Sequence, residues 1–299
     1  MSANVELIAA YWTIAGDVFA RGPTEVSPFA FRARVEAASR AGYRGMGLLD
    51  ADLCFLKARH GFKEMSSILQ DHGIHHVELE FLGDWFAHGD RKRRSDEAKA
   101  RLLEAAAALG ARHIKAAPDI EGNDWPTDHL VESFIALCRD AANHGTAIAL
   151  EIMPFSNLRT VDAALAVIEG AAQANGGLLL DIWHFARGGI DYQEVERIPS
   201  HYIKAVELDD AENEPAGTLW EDTIHHRKLC GEGHLEPQRF IQQLMAVGYQ
   251  GPYGVEILSE EHRKRDLQDA ATLSFQTALQ QFNLVGAAST APVRHNPKG

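Results

Sequence analysis

The 299-residue chain is short of positive charge: 29 Lys and Arg stand against 42 Asp and Glu, a formal net charge of −13. Nucleic-acid backbones are bound through basic stripes, so this deficit argues against a nucleic-acid partner. Cysteine is scarce. Cys54, Cys138 and Cys230 are odd in number and far apart, which suits reduced thiols in a cytoplasmic protein and argues against a disulfide framework or a structural zinc site. No apolar run approaches the roughly 20 residues of a membrane span, and the N-terminus lacks a basic-then-apolar signal pattern. Neither a membrane partner nor export is expected. Also missing is a Gly-x-Gly-x-x-Gly after the first apolar segment, which argues against a dinucleotide-binding open sheet.

What the chain does have is a repeat. Strands are expected at 5–11, 45–49, 76–82, 112–117, 147–152, 176–181, 202–208 and 252–257. Between them, helical spacing of apolar residues covers 28–40, 57–72, 91–109, 127–143, 160–174, 192–197 and 237–247, with 260–282 closing the series. Glycines at 42, 73, 110 and 145 stop four of these helices, and a long loop runs to Gly233. Eight strands alternating with helices predict an α/β protein, a single (β/α)8 TIM barrel over residues 1–285. Residues 286–299, rich in Ala, Ser, Pro and charge, read as a flexible C-terminal tail.

The chemistry is expected where the strands end. Gly176 and Gly177 open an apolar run that stops on Asp181, with His184 three residues on. The Asp-x-x-His pattern is weak alone, because Asp222 and His225 form a second copy. Position gives it value. Alternate strand residues point into a barrel, and active sites gather at the carboxyl ends of its strands. Strand five ends on Glu151, strand six on Asp181, strand seven carries Glu207 and strand eight Glu256, each after an apolar segment. One such acid is a surface charge or a helix cap. Four on consecutive strands repel one another unless a cation sits among them, which points to a divalent-metal site.

Ala-Leu-Glu151-Ile-Met-Pro-Phe, Leu-Leu-Leu-Asp181-Ile-Trp-His184, Val-Glu207-Leu-Asp-Asp-Ala and Arg227-Lys-Leu-Cys-Gly-Glu-Gly carry a resemblance. With these pieces the chain resembles the xylose-isomerase-like barrels, the sugar phosphate isomerase/epimerase superfamily, over nearly its whole length. The resemblance implies a metal held by Glu151, Asp181, Glu207 and Glu256. It also implies Glu151 and Glu256 as the acid/base pair, and His184 and Arg227 as contacts to substrate oxygens. Glu207 departs from the pattern, where His or Gln is usual. A fourth carboxylate requires one protonated carboxyl, nearby cations, or a different ligand, for which His184 and His201 are candidates. An oxygen-rich shell favours Mn²⁺ or Mg²⁺, with Co²⁺ and Zn²⁺ left open.

The chemistry implied is abstraction of the proton beside a carbonyl of a sugar or sugar-like keto substrate, through a metal-stabilised enediolate, giving isomerisation or epimerisation. The alternative on the same site is a metal-dependent lyase or dehydratase, in which the same carbanion expels a neighbouring oxygen. A nuclease of this fold would want more histidine ligands and a basic surface. A non-catalytic binding barrel would lack a reason for four strand-end acids. The partner expected is therefore a small carbohydrate or polyol, and homo-oligomerisation is left open. On strand four, His113 and Lys115 share a face and are candidate acid/base or substrate contacts. Glu80, with Trp85 and Phe86 after it, is a candidate wall of a sugar pocket. The basic cluster from Arg91 to Arg94 and the pairs around His75 and His225 read as solvated.

Overall fold

A computed structural model describes residues 5–290. Eight parallel strands close into a barrel in sequence order. They are β1 (Leu7–Ala9), β2 (Gly45–Leu49), β3 (His76–Leu82), β4 (His113–Ala116), β5 (Ala147–Glu151), β6 (Gly176–Asp181), β7 (Ile203–Leu208) and β8 (Tyr253–Val255). The strands are buried on both faces, and the two faces differ. Val77 and Leu79, Ile148 and Leu150, Leu178 and Leu180, and Val206 and Leu208 belong to the main core between barrel and helices. Ala149, Leu179 and Ala205 form a separate small cluster inside the barrel. Two residues further on stand Glu151, Asp181 and Glu207. The strand period of two therefore lifts these acids directly above an apolar layer, at the carboxyl mouth.

Around the barrel lie α1 (Tyr11–Ile14), α2 (Phe31–Ala41), α3 (Asp50–Asp71), α4 (Gly89–Leu109), α5 (Thr127–Ala142), α6 (Val161–Ala171), α7 (Ile182–Arg187), α8 (Leu219–His225), α9 (Pro237–Ala246) and α10 (Leu267–Thr290). In α2, Phe31, Val35 and Ala38 recur on one face and are fully buried. Gly42 ends that helix at φ 118°, and its N–H bonds the carbonyls of Ala38 and Ser39. A Cβ at Gly42 would come within 2.5 Å of the Phe275 ring, so glycine here both turns the chain and lets α10 dock. No helix among the described residues is long and apolar enough to cross a membrane.

The helices differ from the sequence reading in several places, beginning with α1, whose residues 11–14 follow a strand that ends at Ala9. α3 starts at Asp50, not at residue 57, because Asp50 and Asp52 fill its first turn, where acids suit the helix N-terminus; it bends at Gly61. The stretch 192–197 is a 3-10 turn. Two short helices, α7 and α8, sit where loops were expected. Asp181 caps the first through the N–H groups of Trp183 and His184, and a Thr218–Glu221 capping box starts the second. Finally, α10 follows a 3-10 turn at His262–Lys264 and continues to Thr290, past the expected tail start at Gly286. Residues 291–299 of that tail lie outside the described residues.

The loop after β1 is tied down by a buried ion pair. Arg34 on α2 reaches Asp52 on α3 at 2.5 Å, and Asp52 Oδ1 also accepts the Ser27 N–H at 3.1 Å. Both charged groups are withdrawn from water, at 0% and 1% side-chain exposure. Breaking such a pair leaves a buried charge without its partner. Asp52→Ala should therefore lower unfolding stability by on the order of 3–5 kcal/mol in urea melts. A loss under about 1 kcal/mol, the value typical of an exposed pair, would contradict the burial assigned to it.

Candidate metal centre and active site

Consecutive strand ends bring four acids together. Glu151 ends β5 and Asp181 ends β6; Glu207 pairs with Asp181 in the β6–β7 register; Glu256 follows directly after β8. All four are buried. Their oxygens form two overlapping groups, Glu151–Asp181–His184 and Asp181–Glu207–Glu256. Within each group the donor atoms lie within 4.8 Å of one another. Asp181 belongs to both. Its cap on α7 also turns His184 back over the mouth, so that His184 Nε2 stands 3.0 Å from Glu151 Oε1 and 4.0 Å from Asp181 Oδ2. The buried Nδ1 of His184 has no partner.

Two cations are threaded between the acids. Arg227 Nη1 lies 2.7 Å from Asp181, 3.3 Å from Glu256, and in contact with Asp209. Its Nη2 donates to Thr223 Oγ1 at 2.9 Å, and the guanidinium lies over the Trp183 ring. Lys115 rises from β4, contacts Glu207, and stands 3.2 Å from Glu78, 3.5 Å from Glu80 and 3.6 Å from Glu256. Glu80 also accepts the Tyr11 N–H at 3.1 Å. Gly47 makes room for that carboxylate, since a Cβ there would stand 2.7 Å from Glu80 Oε1.

Two cations against seven buried acids set the electrostatics. Burial would discharge Lys115, but Glu207, Glu78, Glu80 and Glu256 outweigh it and hold its ammonium charged, well above the usual lysine range. Burial raises Glu78 too, yet Lys115 and His113 bring it down to about 2. Four others are undercompensated. Burial and then Glu256 push Glu207 well above the carboxylate range, with Lys115 opposing; burial likewise raises Glu256 and Asp209. Glu80 is raised to about 7, by burial first and then by Glu256 and Glu78 against the pull of Lys115. Asp181 goes the other way, because Arg227 and His184 more than offset its burial.

Above the acids opens a cleft of about 430 Å³. Its floor carries Glu80, Lys115, Glu151, His184, Arg227 and Glu256, and Trp12, Phe81, Phe155 and Trp220 form its walls. The strand-four residues separate here: Lys115 reaches the cleft, while His113 lies one layer deeper, 3.3 Å from Glu78, and does not line it. His113 is thus corrected from a substrate contact to a buried neighbour of Glu78. Trp85 and Phe86 are corrected as well. They pack into the core beside Phe134, with the Trp85 indole donating to the Ala117 carbonyl. His201 is exposed in the 3-10 turn that leads into β7, at the strand's other end, and cannot replace Glu207. Arg91, read as solvated, reaches the cleft rim and pairs with Asp84 and Asp119.

Sequence reasoning missed Asp209 and the four wall aromatics. Asp209 stood visible in Glu207-Leu-Asp-Asp, one period above Glu207, but the aromatics come from four separate places, α1, β3, the segment after β5 and α8, with no shared pattern. The residues present fit a divalent ion. Oxygen donors and one imidazole converge, His184 keeps an unpartnered nitrogen, and the local charge is strongly negative even with Lys115 and Arg227 in place.

A closed parallel barrel with donor sets able to hold a metal at the ends of β5 to β8 defines a class of barrel enzymes whose chemistry sits at the carboxyl mouth. The chain belongs to the xylose isomerase-like TIM barrel family, whose sequence profile matches residues 35–276. An inosose isomerase of Halalkalibacterium halodurans is 24% identical over 185 residues, 60% of this chain and 64% of that protein. The matched region is thus a little under two thirds of that relative's length. A 3-dehydroshikimate dehydratase of Pseudomonas aeruginosa is 23% identical over 233 residues, covering 77% of this chain and 36% of its own. Among solved structures, the IOLI protein with a binding zinc atom superposes with a TM-score of 0.79 at 19% identity, over 94% of this chain and 99% of that one. At that identity the likeness is one of fold.

Glu80 supplies a pH prediction. Its carboxyl titrates near 4.5 when unfolded and near 7 when folded, so the folded protein holds that proton longer. Its contribution is fully present below pH 4.5 and is lost as pH rises through 7. In the metal-free protein, Glu80→Gln should remove this slope and leave the variant about 3 kcal/mol more stable than wild type near pH 8. Urea unfolding across that range measures the difference, and a difference curve flat with pH would contradict the assignment.

Proposed function

We propose that the protein is a divalent-metal-dependent isomerase or epimerase acting on a sugar-like or polyol-derived keto substrate by proton transfer beside the carbonyl. The observation that carries this reading is the convergence of Glu151, Asp181, Glu207, Glu256 and His184 at the mouth of the barrel, where Glu151, Glu256 and His184 line the floor of a walled cleft. Glu151, Asp181, Glu207 and Glu256 are the ligands in this reading, and Mn²⁺ or Mg²⁺ suits their oxygens. The zinc in the structural relative keeps Zn²⁺ in the same frame. The ion, when bound, supplies Lewis-acid polarisation of a carbonyl and its adjacent hydroxyl.

The chain's own residues do the rest. Glu151 and Glu256 belong to different donor groups on either side of Asp181, which suits one to remove the proton and the other to return it. His184 and Arg227 present N–H groups to substrate oxygens, and the aromatic walls suit the C–H faces of a sugar ring. A second reading, elimination of water or an alcohol, is supported by Glu80. It lines the cleft with its carboxyl raised to about 7, so it can hold a proton for a leaving oxygen. The dehydratase among the relatives supports the same alternative.

Incubation with ketoses, inososes and keto-glycosides in D₂O, followed by NMR, tests the reading. Deuterium should enter at the carbon next to the carbonyl; an isomer keeps the substrate's atoms, whereas an elimination product loses water or an alcohol. No exchange with any carbonyl sugar that binds would reject proton-transfer chemistry. Glu151→Gln and Glu256→Gln should each lower turnover by about 10²- to 10⁴-fold with unchanged circular dichroism. Full activity in either variant would rule out the pair as drawn.

A further inference from the structure

Lys115 is the least expected resident of this cleft. It is 1% exposed, and its ammonium faces two pairs of acids on opposite sides. On one side are Glu207, in contact, and Glu256 at 3.6 Å, two of the three members of the Asp181–Glu207–Glu256 group. On the other are Glu78 at 3.2 Å and Glu80 at 3.5 Å, both on β3 and outside either donor group. A lysine whose task was only to neutralise Glu78 and Glu80 would not need to contact Glu207. A divalent ion and this ammonium compete for the same carboxylates, because a positive charge in contact with Glu207 and 3.6 Å from Glu256 repels a second cation placed among them.

We propose that Lys115 is a built-in competitor for the metal: it holds Glu207 and Glu256 when no ion is bound, and gives them up towards Glu78 and Glu80 when one binds. The inference rests on the metal reading above and concerns affinity, not the reaction. It accounts for two features together. A carboxylate at position 207 adds negative charge to an already acidic group, and Lys115 is the charge that balances it. Glu78, below the floor and away from the cleft, gives the ammonium a second seat, so the exchange leaves it paired.

Mn²⁺ binding by titration calorimetry separates the possibilities in four proteins: wild type, Lys115→Met, Glu207→Gln and the double variant. Methionine keeps the unbranched stem and removes the charge. Lys115→Met should bind Mn²⁺ at least about tenfold more tightly than wild type, and the double variant at least about tenfold more tightly than Glu207→Gln. Glu207→Gln alone should bind more weakly than wild type. If Lys115→Met fails to fold with its acids unpaired, the second comparison decides, since the double variant loses one acid and one base together. Unchanged or weaker binding on loss of Lys115, in any background that folds, overturns the proposal while leaving the metal site standing. Absence of binding in all four proteins rejects both.

Discussion

Like-charge crowding in a space too dry to screen it is the constraint from which the rest of the site follows. Glu78, Glu80, Glu151, Asp181, Glu207, Asp209 and Glu256 are all buried at or beneath one barrel mouth. At the effective dielectric of such a site, two carboxylates a few ångströms apart repel by several kcal/mol, so each must find a cation, a proton or a donor. Lys115 and Arg227 meet part of that demand with six of the acids between them in direct reach, and backbone N–H groups meet more at Asp181 and Glu80. What remains shows in the upward shifts of Glu80 and Glu207, and it is the charge a divalent ion would answer.

The same demand explains the two short helices over the mouth. α7 exists because Asp181 caps it, and α8 leads to Arg227. Asp222 joins them: it accepts from the Trp183 indole at 3.0 Å, from Arg187 at 2.7 Å and from the Ala216 N–H at 2.8 Å. The second Asp-x-x-His of the sequence is therefore a brace, in which the acid locks two loops and His225 contacts Arg263 at 2.8 Å. One pattern of residues thus does two unrelated things, and strand position separates them. Only Asp181 ends a barrel strand.

Between isomerisation and elimination, the site differs in a single respect: whether a proton donor reaches the departing oxygen once the first proton is gone. In the reading proposed above, Glu151 and Glu256 serve the carbon in either case. Glu80 lies across the floor from them, on β3, next to Phe81 of the cleft wall. In that reading, the substrate's length and its fit between Trp12, Phe81, Phe155 and Trp220 would govern which oxygen comes to it. The proposed first step would then belong to the acids at the strand ends, and selectivity to the aromatic walls above them.

The sequence by itself determined the barrel and the positions of its acids, because both rest on local periodicity. An apolar run bounded by glycine and ending on an acid reads as a buried strand with a charged tip, and eight repeats leave one closed architecture. Gly45–Leu49 and His76–Leu82 agree with the sequence reading to the residue. Tertiary structure alone decided how the charges are shared. Nothing near Lys115 in sequence announces Glu207, 92 positions away, and nothing near Arg227 announces Asp181, 46 positions away. The depth that separates His113 from Lys115, and the burial of Trp85 and Phe86 away from the cleft, depend on how far each strand and loop is staggered around the barrel. Stagger is a property of closure, to which every strand contributes, so no single segment of the chain records it.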